Sequence, residues 1–497
     1  MQRREFLALA GVAGAVSLTR PWHGLLNAAA TGVPAVGRAP LLFPRVVSPA
    51  ALTLAARVHE VEIAPGVRAE AWSPGDGPVG PTIRTRTGDT ARITFENGLP
   101  EPSILHWHGL RVPEAADGGP RLAIDSGASY RYEFPVIDRA GTYWYHAHPH
   151  GRTGVQTYRG MGGLLLIGDA AEDALGLPSG EREIPLLIQD RRVGADGVFA
   201  YEPAMHEQME GFFGDTPFGN GVRLPTLEVA TTTYRLRVVN ATTSRILRLA
   251  LSNGKPMTLI GNDGGLLPAP VRLTQLDLGT GERADLLVDF SALKVGTRVA
   301  LLSAKFASPA RMGGMGMGGG MGGGMGGMGR MGAGGVPQGG EMRLIEFEVT
   351  RAVKPMPWRA AKFPSIVPLD VSRAARTRVF RFESAMMRHG INGRAFDMER
   401  IDEQVRFGET EVWTFVNDGP FPHPVHMHEV QFQVVERIGG RATLMPWERG
   451  WKDTVLVFPG ERVSVIATFD RHRGRYLMHC HNLVHEDGGM MMNYEIG

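Results

Sequence analysis

Four separate pairs of histidines in this chain stand two positions apart: His106 and His108, His146 and His148, His426 and His428, His479 and His481. Residues i and i+2 of a β-strand share a face, about 6.5 to 7 Å apart. Four such pairs on strands supply eight imidazoles in same-facing couples. Two sandwiches packed face to face could cage several metal ions with them. The surrounding sequence agrees with strands. Ala91-Arg92-Ile93-Thr94-Phe95, Tyr234-Arg235-Leu236-Arg237-Val238-Val239 and Arg462-Val463-Ser464-Val465-Ile466 all have period two. The 66 glycines and 34 prolines punctuate such runs, and long amphipathic helical patterns are few. The expected class is all-β, built of sandwiches.

With 497 residues the chain exceeds one ordinary core, so two to four domains are expected. A weak internal repeat supports this. Gly88-Asp89-Thr90-Ala91-Arg92-Ile93 resembles Gly408-Glu409-Thr410-Glu411-Val412-Trp413, and each precedes a histidine cluster. Each copy then closes on a Gly-x-Tyr strand and a His-x-His pair, Gly141-Thr142-Tyr143 before His146 and Gly474-Arg475-Tyr476 before His479. The middle third has strand patterns but a single histidine, His206, so it reads as a spacer between two metal-bearing copies. The expected units are 45–172, 180–352 and 370–497. Within the middle one, 311–335 is almost entirely Gly and Met, carrying Met312, Met315, Met317, Met321, Met325, Met328 and Met331. Strand-like sequence flanks it, so it reads as a long, flexible insertion in a loop or hairpin.

Residues 1–30 read as an export signal. Arg3-Arg4 with Phe6-Leu7, the apolar run Ala8 to Leu18 and Ala28-Ala29-Ala30 resemble a twin-arginine signal. The run is shorter than the roughly 20 apolar residues a membrane span needs. A periplasmic or otherwise extracytoplasmic protein is expected. Net charge is only +2 with both signs mixed, which argues against a nucleic-acid partner. One cysteine, Cys480, excludes an internal disulfide. A lone thiol in an oxidising compartment is a liability unless something occupies it.

Strand alternation says what that is. In His479-Cys480-His481 the two imidazoles share one face and the sulfur points to the other. Cys480 therefore serves a different site from its neighbours. His423, offset by Pro424 from the next pair, together with His485 and Met490, completes that site. Two His, a Cys and a weak axial Met form the ligand set of a blue-copper electron-transfer centre. The other histidines, His23, His59, His150, His206, His389 and His472, fall outside any motif and read as surface or structural residues.

These four motifs resemble the copper-binding motifs of the multicopper oxidases, the laccase-like family, and the likeness spans most of the chain after the signal. The resemblance implies three cupredoxin-like Greek-key β-sandwich domains and four coppers per chain. His423, Cys480, His485 and Met490 would bind the type 1 copper, and His106 and His426 the type 2 copper. His108, His146, His148, His428, His479 and His481 would bind the type 3 pair. It also implies four one-electron oxidations coupled to reduction of O2 to water, with electrons taken up at the edge of His485, the exposed ligand in relatives. Asp117 and Glu486 match acids that assist proton delivery in bacterial laccase-like relatives, and an acid beside a dioxygen-reducing cluster is a sensible general acid.

Two electron donors suit such a chain. Thioether sulfur favours Cu(I), Met-rich insertions mark the cuprous oxidases of the family, and Ile391-Asn392-Gly393-Arg394-Ala395-Phe396-Asp397-Met398 resembles a stretch of them. Those enzymes carry an Asp and a Met just before the counterpart of His423, where this chain has Asp418-Gly419-Pro420-Phe421-Pro422. The other donors are phenols or aromatic amines, with the Met-rich segment as a lid. A copper-sequestering or structural cell-envelope protein without turnover is the alternative of another class. A monomer is expected.

Overall fold

The computed structural model describes residues 38–194, 197–308, 335–385 (apart from 355, 357 and 359–361) and 388–497. The proposed signal, 1–30, and all seven methionines of the insertion lie outside the described residues.

Six sheets form three two-layer sandwiches. In the first, a five-stranded sheet runs Val46–Val47, Thr82–Arg86, Gly162–Gly168, Gly141–Ala147, Leu105–His108. It packs on a four-stranded sheet of Val67–Ser73, Leu52–Ala64, Thr90–Asn97 and Ser129–Pro135. The alternation seen in the sequence is the reason. In Thr90–Asn97, Ala91, Ile93 and Phe95 point into one core with Trp107, Tyr143 and Tyr145 of the facing sheet, while Arg92 is exposed.

The third sandwich repeats the plan. Glu403–Val405, Met491–Ile496, Gly474–Cys480, His423–Met427 and Thr454–Val457 make one sheet. Arg388–Ile391, Arg376–Ala385, Thr410–Asn417, Glu461–Thr468 and Phe432–Ile438 make the other. In both sandwiches the repeat-bearing strand pairs parallel to the strand that opens its sheet, Thr90–Asn97 with Leu52–Ala64 and Thr410–Asn417 with Arg376–Ala385.

The middle sandwich has sheets of six and seven strands. Its six-stranded sheet includes Ala39–Pro40, which pairs parallel with Pro225–Ala230, so the chain touches the middle unit before entering the first. Strand pairing at that distance in sequence leaves no local trace. Arg298–Ser303 and Met342–Arg351 pair antiparallel, with Ser303 opposite Met342, so the segment carrying the insertion connects two adjacent strands. Among the described residues no helix is long and apolar enough to cross a membrane.

Candidate metal centre

The His-x-His pairs sit at the ends of sheet strands, in the same register in both outer sandwiches. His106 lies directly opposite His146, and His426 opposite His479. All eight imidazoles are buried, at most 1 % exposed, and they converge where the first and third sandwiches meet. His106 Nε2 and His426 Nε2 are 3.4 Å apart; His479 Nε2 is 3.1 Å from His428 Nε2 and 3.4 Å from His148 Nε2. The ligating atoms group as His106, His426 and His428; as His108, His146 and His481; and as His148, His428 and His479, each set within 4.8 Å.

Hydrogen bonds on the outer side of the rings fix which nitrogen faces inward. Nδ1 donates to Asp117 O in His106 (2.7 Å), to Ala147 O in His146 (2.9 Å), to Asp453 O in His426 (2.9 Å) and to Asp117 Oδ2 in His428 (2.8 Å). His479 Nδ1 donates to Cys480 O at 3.2 Å. A neutral imidazole with a proton on Nδ1 presents a lone pair at Nε2. Burial keeps seven of the eight rings neutral: it holds His146 and His148 at about 3, and His106, His108, His428, His479 and His481 well below the usual imidazole range. Among the described residues, His108 Nδ1, His146 Nε2, His148 Nδ1 and both nitrogens of His481 have no hydrogen-bond partner, which is costly for buried polar atoms unless something binds them. Converging neutral imidazoles with outward donors are the arrangement a metal needs, and the donor set fits copper.

On the opposite face of the same strand, Cys480 Sγ lies 3.4 Å from His423 Nδ1 and 3.7 Å from His485 Nδ1. All three are fully buried and group within 4.8 Å. Met490 is buried in the same core. Its N–H donates to His485 O at 2.9 Å and its carbonyl accepts from Cys480 N at 3.0 Å. Burial pushes the Cys480 thiol up and the His423 imidazole down to about 3. A bound metal would displace this thiol's proton, and the set again fits copper. The resemblance implied an exposed His485 edge; here the residue is 0 % exposed and its Nε2 donates to Met209 O at 2.9 Å.

The two acids flank the imidazoles. Asp117 ends the short helix Glu114–Asp117, and Gly118 follows with φ of 74°. A Cβ on Gly118 would stand 1.9 Å from Leu105 O, so only glycine lets this turn lie against the strand carrying His106. Asp117 thereby orients one ring from each outer sandwich, His106 through its carbonyl and His428 through its carboxyl. Glu486 Oε2 is 3.0 Å from His479 Nδ1, and its Oε1 is 3.6 Å from His148 Nδ1. Burial raises both carboxyls above the usual range.

Sequence reasoning missed two contributions. The middle sandwich is more than a spacer. Thr280 Oγ1 donates to His481 O at 2.5 Å, and a Cβ on Gly281 would stand 2.9 Å from both His108 and His481. Arg283, fully buried, pairs through both terminal nitrogens with Asp453, whose Oδ1 lies 3.1 Å from His108 Nε2. Burial alone would raise Asp453, but the Arg283 guanidinium holds it below the usual carboxylate range. This pair ties all three sandwiches together at the imidazole cluster. The second omission is His389, set aside as structural, whose ring stacks on that of His485. Its place just before the Ile391–Met398 stretch was the available clue. His150, by contrast, is exposed and packs against Phe396.

Sandwiches of this design with buried His and Cys nests define a copper-oxidase class of protein, and the comparisons with known proteins agree. Three family models, each described as multicopper oxidase, match residues 56–172, 197–304 and 367–497. A laccase from Bacillus stratosphericus is 31 % identical, over 86 % of this chain and 90 % of that protein. The cell division protein FtsP of Escherichia coli (strain K12) is 32 % identical, over 92 % of this chain and 90 % of that one. The crystal structure of the McoA multicopper oxidase from Aquifex aeolicus superposes with a TM-score of 0.82 at 30 % identity, covering 93 % of this chain and 100 % of that one. The chain belongs to the multicopper oxidase family. It is an oxidase, and its fold is all-β with cupredoxin-like sandwiches.

Proposed function

We propose that this protein holds four coppers and couples four one-electron oxidations to the reduction of O2 to water, with Cu(I) as the favoured donor. The observation that carries the reading is the pair of buried donor sets on opposite faces of the strand Gly474–Cys480. His423, Cys480, His485 and Met490 would hold the type 1 copper, and His106 and His426 the type 2. His108, His146 and His481 would hold one member of the type 3 pair, and His148, His428 and His479 the other. Bound there, the coppers supply one-electron uptake on one face and four-electron dioxygen reduction on the other. Units 45–172 and 370–497 would supply the ligands, and 180–352 the wall behind them.

The chain's own residues do the rest. The backbone from Cys480 to His479 and His481 joins the two sets through a few bonds. Asp117 and Glu486 hold protons, at Oδ1 and Oε1, beside the imidazoles that face the dioxygen site. Arg283 and Asp453 hold His108 and exclude water from the three-sandwich junction. Export by the Arg3-Arg4 segment to an extracytoplasmic compartment accords with a single, metal-held thiol.

The Cu(I) reading draws on the seven methionines between Met312 and Met331 and on the covered edge of His485. The reading as a general laccase acting on phenols and aromatic amines draws on the 31 % identity to the Bacillus laccase. The similarity to FtsP favours a third, a cell-division or envelope role without turnover. Oxygen uptake by copper-loaded protein, Cu(I) against a phenol with copper content measured, separates all three. No uptake with either donor would leave only the third. Deleting 312–331 should abolish Cu(I) oxidation and spare phenol oxidation; equal loss or no change in both would remove the methionines from the reading.

A further inference from the structure

His485 is buried by a short helix, Met205–Glu210, contributed by the middle third of the chain. The last carbonyls of a helix have no partner within it. Here three successive ones are each taken by a side chain of the third sandwich. Gln208 O accepts from His389 Nε2 at 2.8 Å, Met209 O from His485 Nε2 at 2.9 Å, and Glu210 O from Asn482 Nδ2 at 3.2 Å. The helix end is thus latched across the ligand's edge.

Both ring nitrogens of His389 are hydrogen-bonded. A carbonyl can only accept, so His389 Nε2 carries the proton, and Nδ1 accepts from Ser384 Oγ at 2.7 Å. Fixed at both nitrogens, the ring stacks on His485 with centroids 4.5 Å apart and planes 26° from parallel. His389 also lines a surface cavity of about 210 Å³ together with Tyr201, Pro203, Gln208 and Val484. That is below the roughly 300 Å³ at which pockets begin to take drug-sized ligands, so it suits an ion or a single-ring molecule.

We propose that His389 is the donor-facing residue of this oxidase. A compact one-electron donor in that cavity passes its electron across the stacked His389 ring to His485, and the helix Met205–Glu210 keeps larger donors from His485. The donor loses one electron, the Cys480-bearing site gains it, and a phenolic donor releases its proton to solvent. Electron transfer falls off steeply with edge-to-edge distance, so a ring already in contact with the ligand is worth more than an open but distant path. This rests on the copper-oxidase reading above.

The test is anaerobic reduction of copper-loaded protein by hydroquinone, followed by stopped-flow bleaching of the blue absorption. His389→Leu removes the ring but keeps the bulk; His389→Phe keeps a stacked ring without the hydrogen bonds. The Leu variant should be reduced about tenfold or more slowly, and the Phe variant within about threefold of the parent. The reduction potential of the centre and the rate of reoxidation by O2 should be unchanged. On copper-free protein, hydroquinone should give a saturation-transfer NMR signal that Gln208→Trp, which fills the cavity and keeps the backbone carbonyl, removes. Reduction of the Leu variant at the parent rate, or a faster His389→Ala variant, would overturn the proposal, because His389 would then be mere cover. Failure of the parent to turn blue or to reoxidise with O2 would instead count against the copper-oxidase reading.

Discussion

The first and third sandwiches are near copies up to one face of one strand. Ala147 N donates to Met161 O at 3.0 Å, and Cys480 N donates to Met490 O at 3.0 Å. His106 is opposite His146 as His426 is opposite His479. In this register Ala147 stands where Cys480 stands, Met161 where Met490 stands and Ser103 where His423 stands. Ser103 Oγ donates to Gln156 Oε1 at 2.7 Å, and Gln156 Nε2 donates to Glu101 Oε1 and Pro102 O at 2.8 and 2.9 Å. A satisfied Ser–Gln pair thus fills the place that His423 and His485 occupy, 3.3 Å apart, in the third sandwich. The cluster-facing side of the strand is alike in both copies; the other side is a closed polar core in one and an open donor set in the other. The fold alone, with a buried methionine in place, does not assemble a His–Cys–His set.

Cys480→Ala gives the third sandwich the first one's residue and should have the largest effect. Blue absorption and turnover should vanish while the EPR signal of the imidazole cluster persists; residual blue colour would mean the thiolate is not the ligand. Acid comes next, and acts on both faces. Burial holds folded His146, His148 and His423 at about 3, below the usual imidazole value near 6.5. Because the folded values are depressed, their stability contribution is full above about 6.5 and is lost as pH falls toward 3. At pH 5 that is about 2 kcal/mol for each of the three. Copper-free protein should therefore show a steep fall in Tm below pH 6.5 in calorimetric scans; a flat profile to pH 4 would refute buried neutral rings.

Asp453→Asn removes the carboxylate that meets both terminal nitrogens of the buried Arg283, leaving it only the Asp263 carboxylate at 3.7 Å, and should cost about 3–5 kcal/mol, read by urea unfolding. A loss under 1 kcal/mol would show that the three-sandwich junction does not depend on this pair. Asp117→Asn should slow turnover by about 10–100-fold with copper content unchanged; oxygen uptake and metal analysis on one sample decide it. The smallest effect is expected from Ala147→Cys, the reciprocal change. It should add no second blue band, since Ser103 and Gln156 remain, and cost about 1–3 kcal/mol through overpacking. A new blue band would mean that the cysteine alone distinguishes the copies.

Much of this was legible in the chain because the decisive patterns are local. Strand alternation put Cys480 on the face opposite His479 and His481, and the structure has the sulfur near His423 and His485 while the two imidazoles join the cluster. The covering of His485 was not legible. It comes from Met205–Glu210, more than 270 residues upstream of the imidazole it touches. The family resemblance had implied an open edge. His389 likewise gains its place only when Arg388–Ile391 pairs antiparallel with Arg376–Ala385.

By itself the sequence determined the all-β class and the placing of Cys480 on the face of one strand opposite His479 and His481. Each depends on spacings of two to a dozen residues, which backbone geometry converts directly into facing. Which imidazoles converge, which carbonyls fix their tautomers, and what stands between His485 and solvent were decided only by tertiary structure. Those contacts join residues from three separately built sandwiches, and no local spacing encodes them.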